Sequence, residues 1–159
     1  MGCDWYEDCF LGIYEPETEL LKQRTMRFAL DVCALIKQLP HDEPGWTAKR
    51  QLARAATGVA FNYRSSCRSR SHAEFTARIG VVAEESDESL GWLEFIEAAK
   101  LIVSSELDRL VQEGRELLAI MSASAGTARY KERNPTGNPR SRGQSGDGPN
   151  RAIQSGHSP

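Results

Sequence analysis

Apolar side chains recur at helical spacing in four successive segments of the chain, each closed by a turn signal. In the first segment the apolar positions repeat at multiples of three, four and seven residues, with Val32 beside the main stripe: Leu21, Phe28, Val32, Leu35 and Leu39. This spacing places them on one face of a helix. The stretch Glu15-Pro16-Glu17-Thr18 is a helix-start signal, since proline and acidic residues are both favoured in the first turn. Pro40 lacks the backbone donor that a further turn needs, so we predict that the first helix ends near Leu39.

The second segment, residues 47–70, carries apolar and basic residues on opposite sides of one helix. At about 100° per residue, one side spans about 140° to 240° from Arg50 and holds Leu52, Ala55, Ala56, Val59 and Tyr63. The other side lies within about 40° of Arg50 and holds Arg50, Arg54, Phe61, Arg64 and Arg68. Thr47 is the predicted N-cap, and the serines between residues 65 and 69 weaken the helix. A helix buried on its first side therefore presents four guanidinium groups and one aromatic ring on the second.

Two further helical segments follow. Ser71-His72-Ala73-Glu74 has the pattern of a capping box, and the apolar face after it consists of Phe75, Ile79, Val82, Ala83, Ser86, Leu90 and Leu93. Continuation to Val103 gives about 30 residues, or roughly 45 Å of helix, and Gly91 within it indicates close packing of helices. Ser104-Ser105-Glu106 predicts a turn and a cap before a fourth helix, whose apolar positions are Leu107, Leu110, Val111, Leu117, Leu118 and Met121. The apolar pattern stops at Ser122.

Four amphipathic segments joined by short turns predict an all-α fold, an antiparallel up-down four-helix bundle over residues 17–123. Residues 124–159 contain six Gly and four Pro, and six Arg or Lys against two acids. They have too few large apolar groups to offset the entropy of ordering, so we predict a disordered basic C-terminal tail. Residues 1–16 form an N-terminal extension that is apolar but lacks clear periodicity. It packs on the bundle, serves as a docking segment, or is an upstream extension of the reading frame, and the sequence leaves these three open.

The composition is that of a single soluble domain: 159 residues, 40% hydrophobic and 26% charged. The formal net charge of −2 hides an asymmetry, because residues 1–123 carry 14 Lys or Arg against 20 acids while the tail is basic. No apolar run approaches the roughly 20 residues of a membrane span, and no secretory signal pattern opens the chain. We therefore predict a cytoplasmic protein with no membrane partner.

Candidate chemistry is sparse. The four cysteines form no C-x-x-C pair and have no nearby histidine, which argues against a structural zinc site. The acidic group Glu84, Glu85, Asp87 and Glu88 lacks the Glu-x-x-His pattern of di-iron bundles; we interpret it as a solvated face or as the ion-pair partner of the second-helix arginines. Motifs of hydrolases, P-loop proteins, dinucleotide-binding enzymes and zinc proteases are absent. We expect a non-catalytic protein with no cofactor and no metal, and an enzyme with an unrecognised carboxylate site is the remaining alternative.

Three motifs occur in order along the middle of the chain: QLxRAATxVxxN over residues 51–62, YRxxCRxRSxAEF over residues 63–75, and ExxDExxxWLE over residues 84–94. Over roughly residues 25–122 the chain resembles the bacterial four-helix-bundle proteins encoded within intervening sequences of large-subunit ribosomal RNA. That family includes the accessory variability determinants of diversity-generating retroelements. Many members read S-I-P-x-N-I-A-E-G at the end of the second helix, where this chain reads GVAFNYRSS over residues 58–66. Functions tied to that proline and glutamate are therefore not implied.

The resemblance implies a non-catalytic bundle that assembles as a ring, pentameric in the accessory determinants, and that binds nucleic acid or a nucleic-acid-handling partner such as a reverse transcriptase. Guanidinium groups pair with phosphate and bases stack on aromatic rings, so the candidate nucleic-acid-binding residues, for RNA or DNA, are Arg50, Arg54, Phe61, Arg64, Arg68 and Arg70. Trp92 and Phe95 lie off the third helix's apolar stripe and are the candidate homo-oligomer contact.

Two alternatives stay open beside this interpretation. The second-helix arginines pair with the acids between Glu84 and Glu88 of the same or another subunit, as surface charges commonly do. In that case the protein is an assembly or adaptor module without nucleic-acid contact.

Overall fold

The computed structural model describes residues 16–134, which form four α-helices and one 3-10 turn and contain no strand. Helix α1 spans Pro16–Leu35 and is extended by the 3-10 turn Ile36–Gln38; α2 spans Gly45–Ser66, α3 His72–Ala98 and α4 Ser105–Arg133. Each helix packs against the next one along the chain, and α1 closes against α4. Short connections make sequential neighbours antiparallel. The predicted all-α four-helix bundle is confirmed.

Two of the three predicted capping residues, Ser71 and Ser104, cap their helices as expected. Ser71 accepts a hydrogen bond from the Glu74 amide at 3.1 Å, and Ser104 accepts one from the Leu107 amide at 3.2 Å. Each serine oxygen thus satisfies a backbone donor that the first helical turn leaves without a partner. The Glu74 carboxylate reaches back to the Arg70 amide at 2.9 Å. It thereby joins the turn before α3 to the helix.

The third predicted capping residue, Thr47, is wrong. Helix α2 begins at Gly45, with Pro44 at the N-cap, and Thr47 lies inside the first turn. The Thr47 hydroxyl donates to the Glu43 carboxylate at 2.7 Å instead of capping the helix. A Cβ at residue 45 would collide with the carbonyl oxygen of Pro40, so the chain passes here because Gly45 has no side chain.

Helix α3 stops at Ala98, five residues before the predicted end at Val103. The stop is a Schellman motif: Lys100 adopts the left-handed conformation with φ of 51°, its amide bonds to the Glu97 carbonyl, and the Leu101 amide bonds to the Ile96 carbonyl. The chain direction reverses there and leads into the cap of α4. The prediction that Gly91 marks close helix packing is also wrong, because a Cβ there would meet nothing within 4 Å.

Helix α4 continues to Arg133, and the prediction of a disordered tail is wrong for residues 124–133. Ala125 and Ala128 are buried, and the Nε2 atom of His72 lies 2.9 Å from the Ala128 carbonyl oxygen. Alanine has the highest helix propensity and lets helices approach closely, so this stretch packs without the large apolar residues that the sequence pattern tracks. The remaining predictions for residues 1–15 and 135–159 lie outside the described residues.

The core consists of two clusters that follow each other along the bundle. The larger lies where the α1–α2 connection and the α3–α4 turn meet, and its large members include Phe28, Leu35, Leu52, Leu93, Ile96 and Leu110. The smaller cluster consists of Val59, Tyr63, Ile79, Val82, Met121, Ala125 and Ala128. Phe75 and Ala83, predicted on the buried stripe of α3, pack on the edge of the smaller cluster and are half-buried.

The seam between α1 and α4 has fewer residue contacts than the other three seams and carries ion pairs instead. Arg24 contacts Glu113 at 2.7 Å and Glu116 at 2.5 Å, and Arg109 contacts Asp31 at 2.7 Å. The hydrogen bonds that the Arg24 guanidinium donates to the Glu113 carboxylate are the largest cause of its raised pKa. These side chains are partly exposed, so each pair adds little stability on its own. They join α1 to α4 at two levels along the bundle.

Within residues 16–134 no helix is both long and apolar enough to cross a lipid bilayer. The cytoplasmic localisation stays a prediction. Cys33 and Cys67 are both half-buried.

We predict that Leu52→Asp unfolds the bundle. Leu52 is fully buried in the larger core cluster, and an unpaired carboxylate there costs about 4 kcal/mol, a large part of a domain's stability. The matched control is Leu30→Asp on α1, where the leucine is 58% exposed. Thermal unfolding followed by circular dichroism should show loss of the transition in the first variant and an unchanged midpoint in the second; equal midpoints would contradict the assigned core.

Candidate nucleic-acid interface

The surface that the sequence singles out is the exposed side of α2, named here the arginine face: Arg50, Arg54, Phe61, Arg64 and Arg68. All five residues are exposed, whereas Leu52, Ala55, Ala56, Val59 and Tyr63 on the other side are buried. Both predicted sides of the helix are therefore placed as expected. The face runs from the first turns of α2 into the turn after it, a distance of roughly 27 Å at about 1.5 Å per residue.

The arginines of this face differ in their partners. Arg54 donates to both oxygens of Glu88 on α3, each at 2.9 Å, while 63% of its side chain stays exposed. Within residues 16–134 no carboxylate lies within ion-pair distance of Arg50, Arg64 or Arg68. The alternative in which the whole face pairs with the α3 acids of the same chain therefore holds for Arg54 alone.

Phe61 and Arg70 complete the predicted set. Phe61 is 60% exposed. Along the chain it lies between Arg54 and Arg64. Arg70 lies in the α2–α3 turn, where its Nε atom is 3.7 Å from Glu74 and 91% of its side chain is exposed. Glu74 is held mainly by other groups: the Arg70 amide and the Arg78 guanidinium lower the pKa of its carboxyl. The Arg70 side chain is thus only loosely held.

The acids of α3 border the arginine face but do not form one uniform surface. Glu84 and Asp87 are exposed, Glu88 pairs with Arg54, and Glu85 turns inward. Its carboxylate lies against Gly58 of α2, where a Cβ would come within 2.7 Å of the carboxyl carbon. Among residues 16–134 no three His, Cys, Asp or Glu side chains are grouped to hold a metal ion.

Glu85 is the residue that the sequence pattern missed. Its Oε2 atom is buried and has no hydrogen-bond partner among residues 16–134. Burial raises the pKa of its carboxyl, an effect that the positive charge of Arg54 offsets only in part. The interpretation of the acids as a solvated face is therefore wrong at this position. The sequence did contain a sign of this arrangement. Gly58 lies one turn after Arg54 on α2, and a glycine there leaves room for a long side chain of α3 between the two helices.

Trp92 and Phe95 line a second surface, named here the aromatic groove. Their rings lie edge to face with centroids 5.5 Å apart, and the groove of about 440 Å³ is lined by Pro44, Thr47, Asp87, Glu88, Gly91, Trp92 and Phe95. Trp92 packs partly on the core, whereas Phe95 is 40% exposed. The absence of a side chain at Gly91 leaves the groove open. Its glutamate, Glu88, is the partner of Arg54, so the groove adjoins the arginine face.

Known proteins are similar to this chain over most of the bundle. The family model described as 23S rRNA-intervening sequence protein matches residues 18–123. A crystal structure of a protein of unknown function from the S23 ribosomal protein family of Bacteroides thetaiotaomicron superposes with a TM-score of 0.60 at 20% sequence identity, covering 65% of this chain and 96% of that one. At that identity the likeness shows the fold alone. No curated protein matches the sequence.

We predict that Glu85→Gln stabilises the protein at neutral pH. The folded-state pKa of Glu85 lies above its unfolded value, so the ionised carboxylate weakens folding at pH 7, and this cost disappears as the pH falls through the folded pKa. The variant should melt about 3 °C higher at pH 7, and its advantage should shrink toward pH 4. Asp87→Asn, which removes the same charge from an exposed position of α3, is the control. A Glu85→Gln advantage that is the same at both pH values would show that the carboxyl is not the destabilising group.

Proposed function

Because this chain belongs to the 23S rRNA-intervening sequence protein family, we propose that it binds RNA through the arginine face of α2 and acts by binding, without catalysis. The observation that carries the proposal is the group of three exposed arginines, Arg50, Arg64 and Arg68, that have no carboxylate partner among the described residues and flank the exposed ring of Phe61. Guanidinium groups that can pair with phosphates and an aromatic ring on which a base can stack are thus present on the same face.

The charge of α2 supports this choice of surface. Its 22 residues include Lys49, Arg50, Arg54 and Arg64 and no acid, although the whole chain is slightly acidic. Phosphate groups spaced along a strand meet guanidinium groups spaced along a helix, and a base stacks on the phenylalanine. Such contacts read the backbone and the face of a base. We therefore expect weak sequence preference and binding that weakens as salt increases.

The acids beside the face limit its strength. Glu84 and Asp87 are exposed on the neighbouring helix, and Glu88 neutralises Arg54. One protomer thus offers a narrow basic strip, and its affinity for RNA should be modest. Repetition of the strip in a homo-oligomer would raise the apparent affinity by avidity.

We predict that replacing Arg50, Arg64 and Arg68 together by Gln abolishes RNA binding. The control variant replaces Arg27, Arg129 and Arg133, which are exposed and lie off the face, so the two variants have the same net charge. In a mobility-shift assay with single-stranded RNA, the control should bind like the parent, the complexes of both should weaken as salt increases, and the face variant should form no complex even at low salt.

Two results of this assay would contradict the proposal. Equal losses in the two variants would mean that net charge alone drives binding. A parent protein without affinity for RNA at low salt would favour the alternative of an assembly or adaptor module, whose partner is a protein such as a reverse transcriptase.

A second function, self-assembly, is supported by the aromatic groove. An edge-to-face aromatic pair with one ring 40% exposed, at the rim of an apolar concavity, is typical of the centre of a protein interface. We infer a homo-oligomer in which Phe95 contacts a second copy. The ring of five copies known from the accessory variability determinants is the specific form that the sequence resemblance implies.

We predict that Phe95→Asp dissociates the oligomer without unfolding it. The matched control is Val81→Asp on the same helix, since Val81 is 41% exposed and Phe95 40%. Light scattering at micromolar concentration should give a parent and a control of equal mass, well above the 17.7 kDa of one chain, and a monomeric Phe95 variant. A parent that scatters as a 17.7 kDa particle would refute the inference.

A further inference from the structure

A second groove lies at the opposite end of the bundle, between the first turns of α1, the α2–α3 turn and the last turns of α4. It has a volume of about 470 Å³. Leu21, Phe75, Ile79 and Ile120 line its walls, and three of them, all but Ile79, are only half-buried. This end groove therefore leaves apolar surface uncovered beside the smaller core cluster, and an apolar segment would gain stability by filling it.

We propose that residues 1–15 of the same chain dock in the end groove. Helix α1 begins at Pro16, and Thr18 and Leu21 in its first two turns line the groove, so residues 1–15 join the bundle at the groove's edge. Fifteen residues reach up to roughly 50 Å when extended. The segment is thus tethered beside the groove and is long enough to cross it in any direction.

The apolar content of the two chain ends favours this segment. Residues 1–15 include six large apolar or aromatic side chains: Trp5, Tyr6, Phe10, Leu11, Ile13 and Tyr14. Residues 135–159 also leave the bundle close to the groove, since Thr127, Ala128 and Lys131 of α4 line it, but they contain one large apolar side chain, Ile153. A pocket of this size takes a few apolar side chains, and only the first segment supplies them.

Charge favours the same segment. Residues 1–15 carry four carboxylates, those of Asp4, Glu7, Asp8 and Glu15, and no Lys or Arg. The groove has Lys131 in its lining, and the α2–α3 turn beside it exposes Arg68 and Arg70. Residues 135–159 carry three Arg against one acid. An acidic apolar segment therefore matches a basic rim that would repel the other end of the chain.

Cys67 provides the test, because its side chain is half-buried and lines the groove. In a full-length background with Cys3, Cys9 and Cys33 replaced by Ala, the alkylation rate of Cys67 reports whether the groove is covered. Ala123→Glu places a carboxylate on an exposed position of the groove wall, where it repels the acidic segment. Ala119→Glu is the matched control, since Ala119 is an exposed alanine one turn earlier on α4 and outside the groove lining.

We expect Ala123→Glu to raise the alkylation rate by about tenfold, as displacement of a docked segment would, and Ala119→Glu to leave it unchanged. Replacing Phe10, Leu11 and Ile13 by Ser should raise the rate by the same factor while the far-ultraviolet circular dichroism stays unchanged. If the alkylation rate is the same in the background protein, in Ala123→Glu and in the triple serine variant, the proposal is overturned, because the groove is then open in all three.

Two other outcomes would also overturn the proposal. An equal rise in the Ala119 control would show general loosening of the bundle. Protection that is lost on dilution would assign the groove to a second copy of the chain, since docking within one chain does not depend on protein concentration.

Discussion

The burial of small side chains on one side of α2 is the constraint on which the rest of the structure depends. Ala48, Ala55, Ala56 and Ala60 are buried between neighbouring helices, with Leu52 and Val59 among them. Small residues allow the helix axes to lie close together, and close packing leaves little freedom for α2 to rotate. Since the buried side is fixed, the side that carries the arginines is fixed as well.

The close packing of α2 against α3 also explains the different positions of the α3 acids. With α2 close to α3, a carboxylate on the facing side has two outcomes: it reaches a cation at the surface, as Glu88 reaches Arg54, or it is trapped, as Glu85 is against Gly58. The trapped carboxylate costs stability at neutral pH, because burial disfavours its charged form. Gly58 makes this arrangement sterically possible.

The aromatic groove, the arginine face and the end groove follow one another along the bundle. The aromatic groove occupies the end where α2 begins, the end groove occupies the end where α2 finishes, and the arginine face of α2 connects them. One helix, α2, thus sets the distances between the surfaces proposed for assembly, for RNA and for the chain's own first residues.

The sequence by itself determined the number of helices, the buried side of α2 and the serine caps of α3 and α4. Each of these depends on neighbours within about one or two helical turns, and residue spacing records such neighbours directly. The ends of α3 and α4 were decided by tertiary structure. Lys100 adopts a left-handed conformation that the sequence pattern did not predict. Ala125 and Ala128 are buried because other helices pack against them. Which arginines have partners was decided in the same way. Glu88 reaches Arg54, while Arg50, Arg64 and Arg68 have no carboxylate in range among the described residues, because an ion pair depends on where two helices place their side chains and not on the charge pattern of either helix.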